Sequence, residues 1–299
     1  MKLIELNNIN YTFVKDFKHD PEIRASFNAL TEATFEFNFE SWYLSGYWDD
    51  NYIPYSLMHN NKVISNVSVS KIEFVIENEK KVGIQIGTVM TDTAYRHRGL
   101  SKFIMEYVLN EWETQSDFIY LFANDSVLDF YPKFNFEIVN EYQYSKSLNS
   151  INKLSSSLRK LHIDDASDKE LLLRTIHDAH PISKLAMQNN TALLMFYFLL
   201  FKKNSLYYLD ELNTVIIMDM EGDTLYLNDV FSKERVALND VIKFITNTTI
   251  KRVQLGFVPL DETDYQKSLL NTGDTLFVLK DKAAYFKNNA WMFPVLSHA

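Results

Sequence analysis

The sequence predicts an α+β protein, with a mixed, mostly antiparallel sheet flanked by helices in its first half and a second α/β domain after it. Three observations carry that prediction. Residues 52 to 90 hold three β-like runs separated by two polar turns. After Gly99 the apolar period changes from strand-like to three and four residues, as on the buried face of a helix. The second half then repeats the order of the first: helices, a hairpin, and alternating helix and strand. That repetition suggests a degenerate internal duplication.

Taken in order, residues 22 to 48 mix helical spacing with many aromatics and predict one or two helices ending near Gly46. Tyr52 to His59 turns at Asn60-Asn61 into Lys62 to Ile76, where Val63, Val67 and Val69 alternate with serines and Asn66. An Asn-Asn pair suits the positive φ of a hairpin turn. A second polar turn, Glu77 to Lys81, leads into Val82 to Met90. Leu100, Phe103, Ile104, Tyr107 and Val108 then mark a helix, and Phe118 to Ala123 a buried strand. Asp125 to Lys133 reads as a short helix and Phe136 to Ser145 as one strand. In the second half, Asp168 to His180, Thr191 to Lys202 and Leu238 to Thr246 read as helices. Tyr207 to Met220 and Thr224 to Phe231 flank a Glu-Gly-Asp turn as a hairpin, and Arg252 to Phe257 and Leu276 to Leu279 read as strands.

A length of 299 residues fits two domains of about 150 residues each. The Ser-rich, polar stretch near the midpoint places the division: a first domain over 1–149, a linker over 150–157 and a second domain over 158–299. The chain has no cysteine, which excludes disulfides, thiolate metal sites and cysteine nucleophiles. Its histidines show no HExxH spacing, so no metal is expected. The net charge of −9 opposes general nucleic-acid binding, which needs a basic face. Ala192 to Phe201 is the most apolar run, but ten residues with polar flanks predict a buried helix and no membrane span. The N-terminus lacks the apolar core of a signal peptide, so a cytoplasmic location is expected.

The most informative stretch is Thr88 to Tyr107, TVMTDTAYRHRGLSKFIMEY. A strand, a short basic loop and a helix start present free backbone N–H groups where the helix dipole favours an anion. Gly99 lets the backbone approach closely, and Arg96 and Arg98 add charge-assisted donors. Cations at a helix start are unfavourable unless an anion sits there. The loop therefore has the parts of a diphosphate site. It is neither a P-loop nor a G-x-G-x-x-G turn.

At these residues the sequence resembles the GCN5-related N-acetyltransferase (GNAT) family, whose acetyl-CoA loop follows Q/R-x-x-G-x-G/A. Arg96-His97-Arg98-Gly99-Leu100-Ser101 matches it, with serine where glycine or alanine is usual. A second stretch, Asn124 followed by Tyr131-Pro132-Lys133-Phe134-Asn135-Phe136, looks like the family's N-x(6)-Y-x-x-x-G-F, with Asn135 in place of the glycine. Asparagine is the next best residue for a left-handed cap.

The resemblance implies acetyl-CoA as co-substrate and direct attack of an amine on its thioester. It implies donor contacts at Thr88, Val89 and Met90 on the strand, at Arg96 to Ser101 in the loop, and at Asn124. It also implies Tyr131 as the acid that protonates the departing thiolate. Glu73 and His97 are candidates for the general base. The apolar C-terminal residues 293 to 299 predict an ordered segment that would fix His298 and the carboxylate of Ala299. Tandem acetyltransferases similar to the mycobacterial aminoglycoside-acetylating enzyme use such a carboxylate, and this chain resembles their first two domains without the length for their third. The expected partners are a small-molecule or peptide amine and, as an open alternative, further copies of the chain. No CoA loop is evident in the second half, where Asp210, Glu211, Asp219, Glu221 and Asp223 either favour a cationic acceptor or simply form a solvated face. The competing reading is a non-catalytic acyl-CoA-binding module.

Overall fold

The computed structural model describes residues 1–148, 157–271 and 273–298; the expected linker and Ala299 lie outside or at the border of these. The chain begins with a hairpin, β1 (Lys2–Leu6) and β2 (Ile9–Lys15), turned by Asn7 and Asn8 at positive φ. Asp20 starts α1 (Pro21–Phe35) by accepting from the Glu22 and Ile23 N–H groups, with Pro21 at the first helical position. A short α2 (Glu40–Leu44) follows.

The expected meander is present as β3 (Tyr52–His59), β4 (Lys62–Ile76) and β5 (Glu79–Thr91). Asn60 and Asn61 take φ of 50° and 59°, the left-handed pair that a two-residue hairpin turn requires. Then come α3 (Leu100–Trp112), β6 (Phe118–Asn124), β7 (Phe136–Ile138) and β8 (Tyr142–Ser147). The segment expected to be one short helix over 125–133 is instead two 3₁₀ turns, Asp125–Val127 and Tyr131–Phe134. The strand expected over 136–145 is broken in two, because β7 joins one sheet and β8 the other.

The second half runs β9 (Leu158–Lys160), α4 (Ala166–Ile176), β10 (Leu185–Met187), α5 (Thr191–Leu200), β11 (Leu206–Leu209), β12 (Thr214–Glu221) and β13 (Thr224–Ser232). It continues with α6 (Leu238–Ile245), β14 (Arg252–Leu255), β15 (Gln266–Leu269), β16 (Asp274–Leu279) and α7 (Lys280–Asn289). The first sheet has the order β1-β2-β3-β4-β5-β6-β16-β7, with β10 added against β4; the second has the order β15-β8-β14-β13-β12-β11-β9.

Each half therefore lends a strand to the other. β16 fills the place between β6 and β7, antiparallel to both, while β8 lies between β15 and β14. A cut at 150–157 thus separates neither sheet cleanly. Within each half the same crossover recurs: β5 passes through α3 to the parallel β6, and β13 passes through α6 to the parallel β14.

Alternation along the strands sends two sets of side chains to opposite faces of the first sheet. Ile119, Leu121 and Ala123 of β6 pack with Leu100, Ile104, Met105 and Val108 of α3. Phe118 and Tyr120 pack instead with Phe74 and Phe293 in the core between the two sheets. A third cluster, rich in aromatics, joins α1, α2 and β3 to Phe196 of α5.

Candidate active site

β5 and β6 are parallel partners only from Gly83↔Phe118 to Ile86↔Leu121. Past that point β6 keeps its ladder with β16, through Asn124↔Asp274. β5 turns away at a bulge opposite Asn66 to Ser68, with Thr88 at φ 49°. A buried polar network holds the bulge. Asn66 Nδ2 donates to the Thr88 carbonyl at 2.9 Å, and Ser56 Oγ donates to Asn66 Oδ1 at 2.7 Å. Tyr52 and Thr88 hydroxyls share a bond of 2.8 Å. Thr88, Val89 and Met90 therefore lie beside a gap, off the ladder between β5 and β6.

The basic loop leads from this gap to α3. Asp92 Oδ1 accepts from the Ala94 N–H at 2.8 Å and shapes a 3₁₀ turn. Arg98 donates to the Ala94 carbonyl at 2.8 Å, Arg96 to the Thr91 carbonyl at 3.3 Å, and both arginines are exposed. His97 and Gly99 take φ of 63° and 76°. Gly99 is the residue that precedes the helix, and no side chain caps the α3 first turn. A Cβ built on Gly99 would meet nothing within 4 Å, so the space in front of the helix start is open. Ser101 shares a hydrogen bond of 2.6 Å with Thr91, which ties the first turn to the end of β5. These residues fit a diphosphate: free N–H groups at the helix start, open space before them and two exposed arginines in the loop that leads there.

Tyr131 lies on the α3 face, packed against Phe130, Phe136 and Phe277. Burial pushes its phenol up to about 12, and among the described residues its hydroxyl has no hydrogen-bond partner. Asn124 ends β6 and accepts from the Ser126 N–H at 3.1 Å, so its side chain shapes the turn that carries the chain to Tyr131. Asn135 takes φ 64°, the left-handed role expected of it.

On the opposite face of the sheet the gap opens into a cavity of about 280 Å³. Gln85 and Thr88 of β5 and Phe122 of β6 form its floor, while Phe39, Trp42 and Phe196 are among its walls. His298 also lines it. The C-terminal segment is ordered as expected: Phe293 stacks on Tyr120 with centroids 4.1 Å apart, and its N–H donates to Glu141 Oε1 at 2.8 Å. The His298 ring lies 3.6 Å from Phe122, and its carbonyl accepts from the Tyr197 hydroxyl. Burial holds the imidazole down to about 4, so it is neutral at ordinary pH.

The other candidate bases are placed differently. Glu73 and His97 are exposed, and neither lines the cavity; Ala299 lies outside the described residues. Asp219, one of the acidic residues of the second half, is engaged by Lys202, Ser205 and Asn228 and serves packing. The cavity itself was not read from the sequence. Its only signals were the aromatics of residues 35–52 and the apolar run of α5, both of which look like core. Among the described residues, no group of three or more His, Asp or Glu is arranged to hold a metal ion, and no helix is long and apolar enough to cross a membrane.

Residues 20–139 match the family model described as an acetyltransferase (GNAT) domain. No curated protein matches the chain. Among solved structures it is similar to a probable N-acyltransferase from Enterococcus faecalis V583, at 12% identity and a TM-score of 0.59, over 91% of this chain and 74% of that one. It is similar to a GCN5-related N-acetyltransferase from Kribbella flavida, at 13% identity and a TM-score of 0.55, over 92% and 73%. Eis1 from Mycobacterium abscessus aligns at 10% identity and a TM-score of 0.52, over 91% and 75%. At such identities these likenesses speak for the fold, which they share across both halves. Residues 20–139 thus match a GNAT acetyltransferase domain in sequence pattern and fold, and the sheet they form is completed by a strand from the second half of the chain.

Proposed function

We propose that the protein is an N-acyltransferase that moves an acetyl group from acetyl-CoA to a primary amine. The observation that carries this reading is the gap between β5 and β6, which joins the open, basic start of α3 on one face to a lined cavity on the other. In this account the N–H groups of the α3 first turn, with Arg96 and Arg98, hold the diphosphate of the donor, and the backbone of Thr88 to Met90, off the β6 ladder, holds its pantetheine and acyl carbonyl. The donor supplies an activated thioester.

The acceptor nitrogen enters from the cavity as the neutral amine. Its lone pair forms the C–N bond to the acyl carbon, the C–S bond breaks, and the sulfur leaves with the electron pair. Tyr131 gives that sulfur its proton; the surplus proton on nitrogen goes to solvent, from which the tyrosine is recharged. A phenol near 12 is a weak acid toward a free thiol of pKa about 8.5. The same burial that raises the phenol also raises the basicity of a thiolate formed beside it, which narrows the mismatch. In this account the second half holds no donor; the segment after Trp291 packs beside the end of β14, where the Val295 N–H donates to the Gly256 carbonyl at 2.9 Å.

The test is a screen of primary amines for acetyl-CoA consumption, read as released thiol. Tyr131→Phe should lower kcat by about 100-fold with acetyl-CoA affinity unchanged. Gly99→Trp should abolish acetyl-CoA binding while the protein stays folded: the added side chain enters open space, and the left-handed φ of 76° costs about 1–2 kcal/mol. Acetyl-CoA binding without turnover of any amine would establish the non-catalytic reading instead, and unchanged affinity in Gly99→Trp would overturn the loop assignment.

A further inference from the structure

We propose that the acceptor is a monoamine carried on an apolar, ring-sized body, which the aromatic cavity holds with the amine nitrogen directed at His298 Nε2. This deepens the transferase reading and rests on it. The walls are rings contributed by separate parts of the chain and already packed on one another. Phe39 and Phe196 are stacked with centroids 5.4 Å apart, and Trp42 meets Tyr52 edge-on at 5.6 Å. Such a wall is preorganised for a flat apolar group. A volume of about 280 Å³ is the liquid share of roughly nine waters at ~30 Å³ each, room for one or two fused rings with a short arm.

Charge argues the same way. The carboxylates lining the cavity are Asp49 and Asp274, with Lys71 beside them. Asp49 already accepts from the Asn51 N–H at 2.9 Å and from its side chain at 2.8 Å. A polyamine or an aminosugar with several ammonium groups would give up hydration against aromatic rings and find too few anions in return. An amine with a single nitrogen has one polar end to satisfy, and a buried acceptor without a partner belongs to a residue of the cavity wall.

That acceptor is His298 Nε2, which is buried and has no hydrogen-bond partner among the described residues. The ring cannot swing away easily, being stacked on Phe122 and anchored through its own carbonyl to Tyr197. A buried acceptor left unmet is unfavourable, and an N–H donor from the ligand would meet it. In its Nδ1–H tautomer the neutral imidazole offers Nε2 for this, and burial keeps the ring neutral. Phe122 and Thr88 flank the gap and line the same cavity, so a nitrogen held at His298 lies beside the place where the acyl carbon is expected. His298 acts here as a positioning group for the nucleophile.

Calorimetry on the full chain saturated with CoA tests this directly, with 2-phenylethylamine and tryptamine against spermidine and kanamycin. The aryl amines should bind at least tenfold more tightly and, with acetyl-CoA, be acetylated with at least tenfold higher kcat/KM. His298→Ala should weaken 2-phenylethylamine binding at least tenfold with acetyl-CoA affinity unchanged. His298→Phe, which keeps the stack on Phe122 and removes the acceptor, should do the same without a drop in Tm. Tighter binding of spermidine or kanamycin, no binding of either aryl amine, or full affinity in His298→Phe would overturn the inference and leave the transferase reading standing. Binding of 2-phenylethylamine without turnover would support the pocket and overturn the transferase reading.

Discussion

Glu141 shows how one buried side chain ties the C-terminal segment to pH. It is almost wholly buried, accepts from the Phe293 N–H at 2.8 Å, and burial pushes its carboxyl up to about 7. Between the ordinary 4.5 and about 7 the folded protein therefore binds a proton that the unfolded chain has released. Stability falls as pH rises through that window, and the whole penalty is present above it. Glu141→Gln keeps an acceptor for Phe293 but cannot ionise. It should be more stable than the wild type at pH 8, by roughly 3 kcal/mol, with the difference shrinking toward pH 5. Thermal melts at the two pH values check this; an equal difference at both would contradict it. His298 works in the opposite sense, since burial lowers its imidazole from 6.5 to about 4 and stability declines as pH falls between those values. Both proteins carry His298, so the difference between them at each pH isolates Glu141.

At the level of elements, the segment after α7 decides the shape of the cavity, and Gly256 decides where that segment lies. The Gly256 N–H donates to the Leu227 carbonyl at 2.8 Å and its own carbonyl accepts from the Val295 N–H at 2.9 Å. A Cβ there would stand 2.7 Å from Val295 Cγ2 and 2.8 Å from the Asn228 carbonyl oxygen. Gly256→Ala should therefore destabilise the fold by about 1–3 kcal/mol and weaken amine binding by displacing His298, while acetyl-CoA affinity holds. Melting and calorimetry with both ligands would show it; amine affinity equal to the wild type would contradict the linkage. The β3 to β5 meander, α3 and the loop before it were legible in the sequence because each rests on local signals: alternation, Asn-Asn turns, a glycine before a change of period. The destination of Phe293 and His298 was not, because it depends on stacking with Tyr120 and Phe122 from residues more than 170 positions away. Tyr131 could be placed by its spacing from Asn124, yet the cavity could not, since its aromatics look the same as core until the chain is folded.

Across the whole molecule, the two sheets are interlocked by exchange of β8 and β16. Composition gave no hint of it, because a strand's partner is set by topology and not by its own residues. The consequence is mutual dependence. A fragment of residues 1–148 lacks β16, so β6 and β7 lose the strand they both pair with, and the apolar face of β6 loses Phe293. Such a fragment should fail to give a cooperative thermal transition or a dispersed amide spectrum. A well-folded fragment would show that β16 is dispensable to the first sheet. The same interlock places the cavity between material from both halves, with Phe37, Phe39, α2 and β3 on one side and α5 and His298 on the other. The central claim is that donor and acceptor meet through the gap between β5 and β6. It is tested most directly by a crystal structure with an unreactive thioether analogue of acetyl-CoA. The account predicts the diphosphate on the N–H groups at the start of α3 and the sulfur in the gap within hydrogen-bond reach of the Tyr131 hydroxyl. An analogue bound elsewhere, with the Arg96–Ser101 loop untouched, would contradict it.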